Sequence, residues 1–183
     1  IDLANKLQTK GYETTINLMA VSHAREVELD EALMQVEKES SVDALYLVDS
    51  FGALYSEQIS HLARKYKSLM PTKEIGIHAH NNQQLAFANT IEAIIQNINY
   101  LDGTIFGIGR AAGNCPLELL LGFLKNPKYD LRPILEILES HFVKLKEEIE
   151  WGYTIPYMIT GILDLHPRAG MKLRKSESKD DYL

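Results

Sequence analysis

The sequence is poor in three things, and each shortage removes a class of protein. It holds one cysteine, Cys115, so no intramolecular disulfide can form, which fits a reducing, cytoplasmic setting. No apolar run approaches the ~20 residues of a membrane-spanning helix, so no membrane partner is expected. Basic residues are not in excess: the formal net charge is −6. Phosphate neutralisation needs clustered Lys and Arg, so a non-specific nucleic-acid binder is excluded too. A short basic run, Lys172, Arg174 and Lys175, is answered by Glu177, Asp180 and Asp181 and reads as a solvated tail. The start also lacks a methionine. Ile1-Asp2-Leu3-Ala4-Asn5 reads as the middle of an amphipathic helix, which sets the expectation that the chain belongs to something longer.

What remains is an ordinary globular composition, 45% hydrophobic and 24% charged over 183 residues, enough chain to bury a core. Apolar runs suited to buried strands alternate with helical periodicity. Residues 15–21 are rich in β-formers and follow the turn signal Lys10-Gly11. A helix over 28–40 is predicted from Leu29, Ala32, Leu33 and Val36 on one face. The run at 44–48 is continuously apolar, as in strands covered on both faces. Ser56 reads as an N-cap before a helix bearing Ile59, Leu62, Ala63 and Tyr66. A third strand over 74–79 precedes a helix over 83–96, and a fourth over 100–106 enters a Gly-rich loop. After it, Cys115-Pro116-Leu117-Glu118 supplies a cap, a proline at the first helical position and an acid in the first turn.

This β-α alternation means a parallel sheet with right-handed crossovers. Downstream, 133–151 reads as a long amphipathic helix with Ile134, Leu138, Phe142, Leu145 and Ile149 in one stripe, and a second apolar segment covers 153–165. Strand–helix units therefore occupy 1–127, a helical appendix 128–170 and a disordered tail 171–183. An open doubly wound sheet and part of a closed barrel both fit this count of units.

The polar residues cluster at one end of the strands. His78-Ala79-His80 ends the third strand, and residues i and i+2 of a strand project to one face. A spacing of about 7 Å between their Cα atoms, from a rise of ~3.3 Å per residue, suits a shared metal. In parallel α/β sheets ligands bind at the carboxyl ends of strands. There the second strand carries Asp49-Ser50-Phe51-Gly52, the first Met19-Ala20-Val21-Ser22-His23, and the last Gly107-Ile108-Gly109-Arg110-Ala111-Ala112-Gly113-Asn114. The opposite strand ends carry no histidine.

The stretch from Gly76 through His78 and His80 to Asn89 resembles the metal-binding strand and helix of a family of metal-dependent (β/α)8-barrel lyases. That family contains 4-hydroxy-2-oxovalerate aldolases, HMG-CoA lyases, and isopropylmalate and homocitrate synthases. The run Gly107–Glu118 resembles its last barrel loop, and the Met19–His23 and Val48–Gly52 motifs fall in matching order. The resemblance covers about residues 1–165 and implies a (β/α)8 TIM barrel, of which this chain supplies four C-terminal strand–helix units plus the helical appendix. Met19–His23, the His-Ala-His core and Gly152-Tyr153-x-x-x-Tyr157 look most like the hydroxy-oxovalerate aldolases.

By that resemblance His78 and His80 are metal ligands. Asn114 is a further ligand or holds one in place, and Asp49 orients a ligand histidine. Ser50 and His23 bind substrate oxygens, and Tyr157 joins Ser50 as a catalytic residue. The ion, Mn2+, Mg2+, Zn2+ or Co2+, binds a 2-oxo acid and stabilises the enolate formed when a carbon–carbon bond breaks. The implied reaction is retro-aldol cleavage of a 4-hydroxy-2-oxo acid to pyruvate and an aldehyde. An acyl-CoA condensing synthase and a non-catalytic barrel fragment are the alternatives. The catalytic cysteine that the CoA lyases carry in the Gly-rich loop is lacking, since Cys115 lies beyond Asn114 and reads as structural. The Asp-Arg motif of the family's first strand has no counterpart, so the third ligand and the general base are expected outside this chain, and activity is not expected of this segment alone. A dinucleotide site is disfavoured, because Gly107 and Gly109 form G-x-G-x-x-x-G without a following acidic strand end. The helices over 131–166 are the expected partner surface, for a homo-oligomer or an aldehyde dehydrogenase.

Overall fold

Four apolar segments form a parallel sheet in the computed structural model, which describes residues 1–182. The strands are β1 (Thr15–Leu18), β2 (Ala44–Asp49), β3 (Glu74–Ala79) and β4 (Tyr100–Leu101), hydrogen-bonded in the order β1-β2-β3-β4. β1 and β2 pair from Thr15↔Ala44 to Leu18↔Leu47, and β3 and β4 from Gly76↔Tyr100 to Ile77↔Leu101. The order never reverses. A doubly wound sheet must reverse at its switch point, whereas right-handed crossovers in a monotonic order place every helix on one face, the arrangement of a (β/α) barrel.

The chain divides into two compact units. The first comprises Ile1–Ser50, Leu54–His78 and Ala88–Leu101. It holds α1 (Asp2–Gln8), α2 (Glu26–Glu39), α3 (Ser56–Leu69) and most of α4 (Ala86–Ile95). α2 buries Leu29, Leu33 and Val36, and α3 buries Ile59, Leu62, Ala63 and Tyr66, the two stripes read from the sequence. Full burial of a Leu such as Leu33 or Leu47 contributes about 1.5–3 kcal/mol. Between the helices Lys65 bridges Glu26 and Asp30. β2 is buried at all six positions. On one of its faces Ala44, Tyr46 and Val48 form a cluster, and Tyr46 meets Tyr100 edge-on at 6.4 Å. Gly76 makes that packing possible, because a Cβ there would lie 2.6 Å from the Tyr46 ring.

The second unit comprises Phe51–Ala53, Ala79–Phe87 and the chain from Asp102 onward. It contains α5 (Leu117–Leu124), α6 (Arg132–Ile137), a π-helical turn (Leu138–Phe142), α7 (Val143–Glu148), α8 (Ile155–Ile162) and α9 (Arg168–Arg174). Ile134, Leu138, Phe142 and Leu145 are half-buried along the α6–α7 rod, as their spacing predicts, whereas Ile149 is exposed beyond its end. Trp151 is buried and donates its indole N–H to the Phe106 carbonyl at 2.9 Å.

Some expected boundaries move. The fourth strand ends at Leu101 rather than 106. Thr104 instead exchanges backbone bonds with Cys115 and Leu117, both at 2.9 Å, and Phe106 turns left-handed with φ 56°. The Thr104 backbone is thus spent on the far side of the Gly-rich loop rather than on the sheet. The α3 N-cap is Tyr55, whose N–H is satisfied by Gln58 Oε1 at 2.9 Å, so Ser56 is the first helical residue. Pro116 is likewise the N-cap of α5, one position before the place predicted for it. α4 starts at Ala86 rather than 83, because Gln84 is left-handed and the Asn81 side chain accepts the Ala86 N–H at 3.1 Å. α9 extends to Arg174, so the boundary expected at 170 falls inside a helix.

Candidate metal centre

β3 carries the two histidines at its carboxyl end. His78 and His80 are half-buried and Ala79 between them is buried, the alternation of an extended segment. His80 Nδ1 lies 3.3 Å from the Gly113 carbonyl oxygen. A carbonyl only accepts, so in this contact Nδ1 is the donor, which fixes the orientation of the ring. The same carbonyl accepts the Asn81 N–H at 2.9 Å. Gly113 is left-handed at φ 81°, and a Cβ there would lie 2.1 Å from the Gly107 oxygen. The Gly-rich loop thus orients His80 through one carbonyl that only glycine can present.

Asn114 follows in the chain and forms an isolated bridge with His80. Its Nδ2 donates to the Ile108 carbonyl at 3.1 Å. Its Oδ1 is buried and has no hydrogen-bond partner among the described residues. A buried amide oxygen left unsatisfied costs about 1–3 kcal/mol, so it asks for a ligand. Among the described residues no three His, Cys, Asp or Glu side chains gather as a metal cluster. Within the second unit the donor groups in view are the His80 imidazole and the Asn114 amide oxygen, types that suit a borderline or hard divalent ion.

The other expected residues fall into separate settings. In the first unit Ser50 is buried and its Oγ accepts the Ala20 N–H at 2.7 Å. Asp49, also buried, accepts the Leu54 N–H at 3.3 Å and so holds the turn into α3. His23 is exposed on a 3-10 turn, Val21–His23, that follows β1.

In the second unit Tyr157 lies on α8, buried against Ala111, Ala112 and Met171. Its hydroxyl donates to Glu150 Oε1 at 3.3 Å. Burial, reinforced by that carboxylate, pushes the phenol above its ordinary range. Glu150 is in turn held below the usual carboxylate range by its hydrogen bonds from Arg174. Cys115 is fully buried, as a structural cysteine should be.

Four participants were not singled out by the sequence: the Gly113 carbonyl, Asn82, Glu150 and Arg174. Asn82 is buried, and its Nδ2 donates to the Tyr157 carbonyl at 3.2 Å and to Thr160 Oγ1 at 3.3 Å. The run of four amides Asn81-Asn82-Gln83-Gln84 directly after His80 was the available signal for it. Nothing in the local sequence pairs Glu150 with Arg174.

A singly wound parallel α/β sheet with an H-x-H at a strand's carboxyl end defines the class. Residues 1–140 match the model of the HMGL-like family, and the chain belongs to that family. It is 36% identical over 123 residues to an oxaloacetate decarboxylase of Mycobacterium tuberculosis, covering 66% of this chain and 35% of that protein. It is 32% identical over 128 residues to a 4-hydroxy-2-oxovalerate aldolase of Thermus thermophilus, covering 68% and 37%. The chain therefore spans little more than a third of the length of these curated relatives. Among solved structures, the N-terminal domain of a provisionally assigned aldolase from Bacteroides vulgatus superposes with a TM-score of 0.83 at 30% identity, over 96% of this chain and 59% of that one. A Bacillus subtilis HMG-CoA lyase shares the fold, with a TM-score of 0.66 at 20% identity over 86% and 57%.

Proposed function

We propose that this chain carries part of the working face of a divalent-metal-dependent carbon–carbon lyase that cleaves a 4-hydroxy-2-oxo acid into pyruvate and an aldehyde. The observation that carries this reading is the setting of His80: its ring is held at Nδ1 by the Gly113 carbonyl, and Asn114, bridged to it, keeps a buried amide oxygen without a hydrogen-bond partner among the described residues. His78, His80 and Asn114 are the residues that would hold the ion. When bound, the ion supplies Lewis acidity to the carbonyl and carboxylate of the 2-oxo acid.

The remaining roles belong to the chain's own groups. Ser50 and His23 are assigned to substrate oxygens, and Asp49 keeps the β2 end in place for Ser50. The Tyr157 phenol is assigned a proton-transfer role, and the general base is assigned outside this chain. In the reaction the C4 hydroxyl loses its proton, the C3–C4 bond breaks to give the aldehyde, and C3 of the resulting pyruvate enolate is protonated.

The relative named as an oxaloacetate decarboxylase supports a second substrate for the same chemistry. Loss of CO2 from C3 of oxaloacetate leaves the same pyruvate enolate. The exposed apolar side chains of α6–α8, among them Leu135, Val143 and Ile162, suit a protein partner, a second copy or an aldehyde dehydrogenase.

Two measurements test the reading. Calorimetric titration with Mn2+ should give binding that the His78→Ala/His80→Ala double variant loses. The intact gene product should release pyruvate only with a divalent ion, with aldehyde or CO2 as the co-product naming the substrate. Unchanged Mn2+ binding in the double variant would remove the metal site. Metal binding with thiol release from an acyl-CoA, and no pyruvate, would replace the lyase with a condensing synthase.

A further inference from the structure

Tyr157 is constrained from three directions within the second unit. Its backbone carbonyl takes the Asn82 amide, which fixes the α8 turn. Its ring packs beneath α9, where Gly170 leaves room: a Cβ at 170 would lie 3.1 Å from Tyr157 Cδ1. Its hydroxyl reaches Glu150 Oε1 at 3.3 Å, in the segment joining α7 to α8.

Glu150 is itself held rigidly. Arg174, from α9, donates through Nε to both carboxylate oxygens at 3.2 and 3.1 Å and through Nη2 to Oε2 at 2.6 Å. Such a fork of charge-assisted bonds fixes the plane of a carboxylate, which a lone surface ion pair does not. Arg174 is anchored in its turn, since Nη1 donates to Asp180 Oδ1 at 3.0 Å and to the Lys179 carbonyl at 3.1 Å. These groups border a cavity of about 400 Å³ lined by Arg110, Glu150, Tyr157, Met171, Arg174 and Lys175. The phenol of a buried tyrosine is thus aimed by a carboxylate, at the wall of a cavity large enough for a small acid.

We infer that Glu150, clamped by Arg174, is a positioning residue that fixes where the Tyr157 phenol points and how firmly it holds its proton. The inference rests on reading Tyr157 as a proton-transfer group of the lyase. The charges facing the pair are Arg110, Glu148, Lys175, Lys179 and Asp180, with Arg174 nearest. The two members act in opposite senses. Glu150 accepts a bond only from the neutral phenol and repels the phenolate, so it keeps the proton on. The Arg174 cation favours the phenolate and also draws on the Glu150 charge.

The test is the titration of Tyr157 in the intact protein, read by NMR of 13Cζ-labelled tyrosine, with Tyr157→Phe identifying its signal among the nine tyrosines. Glu150→Gln keeps the shape and should move the Tyr157 titration down. Arg174→Gln should move it up, and Arg174→Lys should return it toward the wild-type value. A Tyr157 titration unmoved in Glu150→Gln overturns the inference. So does a shift of the same direction in Glu150→Gln and Arg174→Gln, which is what loosened packing alone would give. The alkaline limb of the kcat/KM profile should follow the NMR shift in Glu150→Gln, with a loss of roughly tenfold. The titration is read without substrate, so it judges the pair by itself. Full activity of Tyr157→Phe would instead remove Tyr157 from the reaction.

Discussion

Gly113 shows how much can depend on one backbone carbonyl. Its oxygen receives both the His80 ring N–H and the Asn81 N–H, and its left-handed φ of 81° puts it there. Any side chain at 113 meets the Gly107 oxygen at bond-like distance and is strained besides. Gly113→Ala should weaken Mn2+ binding by at least the 10–100-fold typical of losing the group behind a ligand histidine, with the sheet left intact by circular dichroism. Retained affinity would mean that His80 needs no support from the loop. Tyr66 offers the opposite case. Its hydroxyl is buried with no partner among the described residues, and burial pushes its phenol up beyond the usual range. Tyr66→Phe removes that unsatisfied group at almost no change in shape. It should raise stability by about 1 kcal/mol in urea melts, and a loss of similar size would reveal a bond to water.

Elements differ in how far the sequence foretells them, and the difference is physical. β2 is legible because a strand covered on both faces must be apolar throughout, as 44–48 is, and β3 from the shorter apolar run at its centre, buried over 75–77. α2 and α3 are legible from a buried stripe every three or four residues. β4 is legible in its start but not in its extent, since Thr104 is diverted into backbone bonds with Cys115 and Leu117, a pairing that no local pattern encodes. Of the candidate site, the H-x-H pair and Asn114 stand out by residue type. The carbonyl that orients His80 has no side chain to announce it. The link from α9 back to Glu150 closes over 24 residues, too far for periodicity to reach.

That link gives α9 a pH dependence. Glu150 is depressed by Arg174, so the folded form holds its proton less tightly than the unfolded chain does. Its contribution is then complete above the ordinary carboxylate value of about 4.3 and is lost as pH falls through the lower, folded value. The neighbouring Trp151, the sole tryptophan, is buried and should report the change. Its emission should shift to the red in acid, below pH ~4, and the shift should vanish in Glu150→Gln. An acid transition unaltered by that variant would place the sensitive carboxylate elsewhere.

At the scale of the whole molecule, the monotonic sheet order has a consequence for how the chain reaches its fold. Strands begin at residues 15, 44, 74 and 100, so each new strand docks beside the one made just before it. The spacing is close to the ~30 residues of one βαβ unit. Every docking step therefore closes a loop of similar length at a similar entropic cost, growing only as the logarithm of that length. No strand waits for a distant partner in the sequence. A ribosome releasing this chain from the amino end would deliver the units in the order in which they can be added. A sheet of this kind can lengthen by one strand–helix unit at a time without rearranging the strands already laid down.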